Sequence, residues 1–198
     1  MTKLERRSPL AEHPLLHKAQ GARAQAGVTV EAGYPLALLQ VSAFIDGIDA
    51  TVDRICAVTG LPLPQANHMT GDATVSLRAV GPGIWQICGD ADRVPQTVAL
   101  RAQLDGVATV VDLGHARASL RLTGPDATRT LAKHCGLDLD LAAFPAGSAT
   151  NTRFGHLGMT LSRTDETTFE LLVFRGYATY VFESLVQSAT EFGVHVGR

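Results

Sequence analysis

The stretch Val111 to Ala127, VDLGHARASLRLTGPDA, decides how the chain is read. Val111 closes an aliphatic run that starts at Val107, the signature of a short buried strand. Asp112 to His115 carries the turn. Arg117 to Leu122 then alternates, with Ala118, Leu120 and Leu122 on one side, as a half-buried strand does. Thr123-Gly-Pro-Asp126 is a helix start, with Pro125 near the first helical position, where a missing N–H costs nothing. Ala127, Leu131 and Cys135 mark the inner face of that helix, and Gly136 stops it. A strand, a turn, a strand and a helix in this order point to an α+β fold.

Upstream the same grammar recurs. Leu36 to Ser42 reads as a buried strand. Phe44 to Thr59 reads as a helix with Ile48, Val52 and Ile55 inward, stopped by Gly60 and Pro62. Thr74 to Val80 alternates, with Val75, Leu77 and Ala79 on one face. Gly81-Pro-Gly83 turns it into a returning strand, Ile84 to Cys88. Asp92 is placed to cap a helix carrying Val94, Val98 and Ala102, with Pro95 in its first turn. Downstream, Thr150 to Ser162 supplies one or two strands and Thr168 to Phe174 another. Tyr177 to Ala189 forms a last helix with Tyr177, Val181 and Leu185 inward.

The two halves are in step. Asp49-Ala50, before a helix ending in Gly60-Leu61, matches Asp126-Ala127, before one ending in Gly136-Leu137, at offsets of 77 and 76. Each half reads β-α-β-β-α, so a diverged internal duplication with two split βαβ, ferredoxin-like lobes is expected. The lobes span about residues 28–113 and 114–198 of one domain. Residues 1–27 are polar and small, with Pro9 and Pro14, and read as an extended arm. Its Leu4, Leu10, Leu15 and Leu16, beside Arg6 and Arg7, suit a strap laid along a partner; the alternative is that the arm folds back over its own lobe.

Composition narrows the function. The chain has 198 residues, 45% of them hydrophobic and 18% charged, which suits a folded globule with a core that needs no staples. Net charge is -2 and no basic run exceeds Arg6-Arg7, so neither nucleic acid nor an anionic membrane is an expected partner. The first residues hold no apolar segment of signal-peptide length, and no aliphatic run would span a bilayer. A cytoplasmic location is expected. Cys56, Cys88 and Cys135 are isolated in apolar segments and read as buried thiols.

No residue is assigned a catalytic, cofactor-binding or metal-binding role. His13 and His17 have helical spacing, but Pro14 stands between them and no HExxH surrounds them. Gly81-Pro-Gly83 precedes a hairpin, not the helix a dinucleotide loop needs. Ser8, Ser42 and Ser119 lie in no GxSxG. Asp46, Asp49 and Asp53 occupy the solvent side of a helix. Trp85 reads as core. Asp112 and His115 are spaced to pair across their turn, although a structural duty for them is the plainer reading.

The Asp112–Ala127 block resembles the aminomethyltransferase superfamily, that is, the T-protein of the glycine cleavage system and its folate-binding relatives. There a D-x-S-H element leads through a strand into a G-P-D-A helix start. Here Asp112 and His115 match, Gly114 replaces the Ser, and Gly124-Pro125-Asp126-Ala127 matches throughout. Phe144-Pro-Ala-Gly147, Gly155 and Phe169-Glu-Leu-Leu-Val173 keep the superfamily's order. Arg7-Ser-Pro-Leu10 and Gly81-Pro-Gly-Ile-Trp85 make the whole chain similar to one branch, the gamma subunits of heterotetrameric sarcosine oxidases.

The resemblance implies the fold of the T-protein's folate-binding region. It also implies a place beside alpha, beta and delta subunits in a flavoenzyme that oxidatively demethylates sarcosine. FAD, FMN, NAD, zinc and tetrahydrofolate would then sit in those other subunits and none in this chain. One departure bears on mechanism. Where the T-protein reads G-G-I-I-D-D and meets folate with a carboxylate, this chain reads Gly155-His-Leu-Gly-Met159. Neither Gly nor Met can orient a proton transfer. A non-catalytic subunit is therefore expected. The alternative, a free-standing folate-dependent protein of one-carbon transfer or iron–sulfur maintenance, would need that carboxylate or a K-G-C-Y motif, and the sequence has neither.

Overall fold

The structure is a computed structural model that describes residues 8–17, 26–33, 37–72 and 74–197. Among the described residues, eleven strands, four α-helices and several single turns of 3-10 helix are arranged in two compact units. The smaller is Leu36–Gly114 with Gly147–Thr150. The larger is His115–Ala146, Asn151–Arg198 and the described part of Met1–Pro35.

The smaller unit runs β2 (Ala37–Ala43), α1 (Ile48–Thr59), β3 (Met69–Gly71), β4 (Val75–Gly81), β5 (Ile84–Gly89), α2 (Thr97–Gln103) and β6 (Ala108–Asp112). The strand order is β3-β4-β5-β2-β6, with each neighbouring pair antiparallel. This is the split βαβ arrangement, since β5 lies between β2 and β4, which run parallel to each other on either side of it. One face carries Leu39, Val41, Leu77, Trp85, Ile87 and Val110 into a core with Ile55, Leu100 and Leu104 of the helical side.

The larger unit holds β1 (Val28–Ala32), β7 (Arg117–Thr123), α3 (Ala127–Ala132), β8 (Ala149–Phe154), β9 (Leu157–Asp165), β10 (Thr168–Phe174), α4 (Ala178–Ala189) and β11 (Val194–Gly197). Its order is β11-β1-β7-β10-β9-β8. With β1 removed, the order repeats that of the smaller unit: β1 is antiparallel to β7 and parallel to β11, so β11 runs antiparallel to β7 as β6 does to β2. The duplication legible in sequence is thus present in topology. A boundary at residue 113 leaves β1 with the wrong sheet, because its ladder is made with β7 and β11.

Several expectations are corrected. Helix α1 buries Thr51 and Ile55, whereas Ile48 is 42% exposed on the first turn. Helix α2 begins at Thr97, not near Asp92. The Asp90 carbonyl accepts from Arg93 and Val94, which closes a separate turn before Pro95. Val98 is exposed and Leu100 takes the inner position. Tyr177 also lies outside, with Ala178, Val181 and Phe182 facing the core of the larger unit.

Residues 8–17 are not an extended strap. They form turns and a 3-10 helix at Pro14–His17, and Leu10 is fully buried in the larger unit's core. His13 lies edge-on to Phe182 and reaches Glu183 at 3.1 Å. Burying Leu10 and partly burying Leu15 and Leu16 on their own core removes apolar area from water without waiting for a partner. Leu4, Arg6 and Arg7 lie outside the described residues.

Candidate functional site

The segment that would carry the superfamily's folate carboxylate runs from Gly155 through β9. Gly155-His156 turns β8 into β9. Along β9 side chains alternate: Met159 and Leu161 enter the core, while Gly158, Thr160 and Ser162 point to the other face. Of the two positions where a carboxylate is missing, only Gly158 faces outward.

What stands over Gly158 is aromatic. Met159 is paired with Val173, which sets Gly158 opposite Phe174 on β10. A Cβ built on Gly158 would lie 3.8 Å from the Phe174 ring, ordinary contact. Phe174 is cross-strand partner to Arg117 on β7, whose guanidinium carbon sits 3.5 Å from the ring centroid. Burial lowers the Arg117 pKa from its ordinary value, and its Nη1 is buried with no hydrogen-bond partner among the described residues. Where the family pattern puts negative charge, this face puts an aromatic ring and a cation.

The carboxylate that does occupy this face of β10 is Glu170. It is four residues from Phe174, roughly 13 Å along the strand. Glu170 is buried and accepts a hydrogen bond from the Ser119 hydroxyl at 3.3 Å. Thr160, Ser162 and Ser119 make the rest of the face polar and buried. The smaller unit's sheet shows the same character, with Ser76, Arg78 and Gln86 buried opposite its apolar core. Alternation in sequence marks such residues as polar but cannot distinguish a solvated face from a buried one.

The Asp112–Ala127 block does structural work. The Asp112 carboxylate accepts the Gly114 N–H at 2.8 Å and so closes its own turn, and His115 is exposed. Gly124 has φ +129°, and a Cβ there would lie 2.3 Å from the Gly27 carbonyl oxygen. The Asp126 N–H donates to that same oxygen at 3.1 Å. Gly124 is therefore what lets the start of β1 cross against the end of β7. Asp126 is the N-cap residue of α3 without a side-chain cap bond, and it pairs with Arg129. Trp85 is buried in the core, and Asp46, Asp49 and Asp53 are exposed. Gly81-Pro-Gly83 is the β4–β5 turn. The three cysteines are free thiols, Cys88 and Cys135 buried and Cys56 half-buried.

Two constellations were not legible beforehand. Arg163 is buried on β9 and donates to the Leu139, Phe144 and Glu166 carbonyls at 2.9, 2.9 and 2.6 Å. It thereby pins the loop that contains Phe144-Pro-Ala-Gly147. His134, stacked on Phe154, has Nε2 2.7 Å from the Ser188 hydroxyl on α4. Burial lowers the His134 pKa below its ordinary value. Both residues hold elements together inside the larger unit. Among the described residues, no three of His, Cys, Asp or Glu stand close enough to hold a metal ion.

This geometry can be set beside known proteins. The GCVT N-terminal domain family matches residues 69–197. The sarcosine oxidase subunit gamma of an Arthrobacter species is 30% identical over 198 residues, covering 94% of this chain and 91% of that one. Among solved structures, the heterotetrameric sarcosine oxidase of Corynebacterium sp. U-96 in complex with pyrrole 2-carboxylate has a chain that superposes at a TM-score of 0.81. Identity is 24%, covering 94% of this chain and 96% of that one. The glycine cleavage system aminomethyltransferase T of Bartonella henselae superposes at 0.66 with 17% identity, over 96% of this chain and 58% of that one.

Proposed function

Since the chain belongs to the family of sarcosine oxidase gamma subunits, with a GCVT N-terminal domain, we propose that it is a non-catalytic subunit of a heterotetrameric, sarcosine oxidase-like flavoenzyme. The complex oxidatively demethylates sarcosine to glycine and passes the one-carbon unit to tetrahydrofolate. Alpha, beta and delta subunits are its partners, and FAD, FMN, NAD, zinc and tetrahydrofolate belong to them. This chain serves assembly in the cytoplasm. The likeness extends over 94% of the chain, and that observation carries the reading.

The face around Gly158 supports the non-catalytic part of the reading. A folate-dependent transferase needs a carboxylate where this chain has Gly158 beside Phe174, whose ring carries Arg117. Arg117 would pair with an acid introduced there and withdraw it from a ligand.

The test has two arms. Co-purification from the native source, with the other chains identified by mass, is expected to recover larger subunits and sarcosine-dependent oxygen consumption. Recovery of the chain alone would defeat the reading. Calorimetry of the isolated chain with tetrahydrofolate is expected to show no binding at micromolar concentrations, and the chain to stay colourless near 450 nm after incubation with flavin. Micromolar folate binding would restore the free-standing one-carbon alternative.

A further inference from the structure

A subunit must have a surface that another chain covers, and one stretch of the larger unit has the required composition. Phe174 ends β10, and the chain turns through Arg175–Tyr177 into α4. Phe174, Tyr177 and Tyr180 are 45, 50 and 59% exposed. The Arg175 N–H donates to the Ala116 carbonyl at 2.9 Å, so His115-Ala-Arg117 and Phe174-Arg-Gly-Tyr177 form one continuous surface. Residues 114–118 and 173–182 contain no Asp or Glu. Asp112, two residues before the first stretch, accepts the Gly114 N–H, and Glu183, just after the second, meets His13.

Two features of this surface are costly for a free chain. Exposed aromatic side chains keep apolar area in water. The Arg117 guanidinium is partly withdrawn from solvent, with Nη1 buried and no acceptor for it among the described residues. A buried donor left without an acceptor costs free energy that a bound partner can return. Clustered Tyr, Phe and Arg are also the residue types that dominate binding energy at protein interfaces.

We propose that the surface formed by Arg117, Phe174, Arg175 and Tyr177 docks against an acidic, apolar surface of another subunit, whose carboxylate accepts from Arg117. This rests on the subunit reading above. A second copy of this chain, related by a two-fold axis through the patch, would bring two Arg117 guanidinium groups to one interface with no carboxylate supplied for either, and like charges there oppose pairing. Charge complementarity therefore selects a different, acidic chain.

The experiment is co-expression with the other subunits from the same source and capture through a tag on one of them. Arg117→Glu and Tyr177→Asp are the test variants. Ile45→Asp is the control, because Ile45 is 86% exposed and lies on the smaller unit. Thermal melts of each free chain identify variants that fold, and Arg117→Gln replaces Arg117→Glu if the latter does not. Retention of the test variants is expected to fall at least tenfold, and that of Ile45→Asp to match the parent.

Parent-like retention of both folded test variants overturns the proposal while leaving the subunit reading intact. Loss confined to Ile45→Asp moves the interface elsewhere and overturns it as well. Self-association of the parent chain in sedimentation, abolished by Tyr177→Asp, identifies a second copy as the occupant and has the same consequence. Failure of the parent itself to be retained defeats the subunit reading first.

Discussion

Replacing Leu10 with Ala tests whether the amino-terminal segment belongs to the fold of this chain. Leu10 is fully buried among Val28, Leu122, Phe182 and their neighbours in the larger unit's core cluster. Leu→Ala changes at such sites cost the transfer free energy of the lost atoms plus the cavity left behind, which here amounts to about 3 kcal/mol. For a chain of 198 residues each kcal/mol lowers Tm by roughly 2–4 °C, so a fall of about 6–12 °C is expected. Urea unfolding of the isolated chain measures it directly: the midpoint should fall with the slope unchanged. Glu12→Ala, on the exposed side of the same turn, should stay within about 0.5 kcal/mol of the parent. A cost below about 0.5 kcal/mol for Leu10→Ala would refute the packing. It would return the segment to the role of a strap that orders only on a partner.

The other predictions concern the larger unit. Gly124→Ala forces a Cβ against the Gly27 carbonyl at a positive φ and should cost about 2 kcal/mol or more in urea unfolding, whereas a neutral effect would mean that β1 does not cross there. Arg163→Met leaves the Leu139, Phe144 and Glu166 carbonyls without their donor and should cost about 3 kcal/mol, with proteolytic nicking appearing first in the loop of residues 136–147. Because burial lowers the folded-state pKa of His134 below 6.5, the unfolded chain takes up its proton first as pH falls. The stability this group contributes is intact above about pH 6.5 and is lost below it, and His134→Gln should flatten the dependence between pH 7 and 5. An equally steep profile in that variant would rule out His134 as a source.

The elements that sequence periodicity located best are those with one apolar and one wet side. The α4 positions Val181 and Leu185 and the β7 positions Ala118, Leu120 and Leu122 all point inward as the spacing requires. Where both sides of a strand are buried, periodicity still marked the apolar half, but it gave no sign that Ser76, Arg78 and Glu170 on the other side are buried as well. Strand β1 had a legible signal in Val28, Val30 and Ala32. It was obscured by the polar segment before it, and its partners β7 and β11 are distant in sequence. Helix α2 was misplaced because Asp92 is a good cap residue in the abstract, while the Asp90 carbonyl closes a local turn first. At the site, the missing carboxylate was visible in the letters. That Phe174, with Arg117 stacked on it, stands beside the gap was not, since it depends on the register of β7, β10 and β9.

That register also decides how the site could be restored. Two adjacent positions lack an acid, but strand alternation makes them unequal. Met159 is 3% exposed within the apolar cluster, so Met159→Asp would bury a charge with no partner and unfold the unit before any ligand could be tested. Gly158→Asp keeps the core intact, yet its carboxylate would emerge beside Phe174, whose ring carries the Arg117 guanidinium. Its most favourable partner is Arg117, an attraction that orders the face and neutralises the new acid. Gly158→Asp should therefore fold and still leave tetrahydrofolate unbound in calorimetry. Combining it with Arg117→Ala and Phe174→Ala removes both obstacles on this face. Micromolar folate binding by Gly158→Asp alone would mean that the fold had kept a working pocket and lost only one carboxylate. No binding even in the triple variant would mean that the loss extends beyond these three residues.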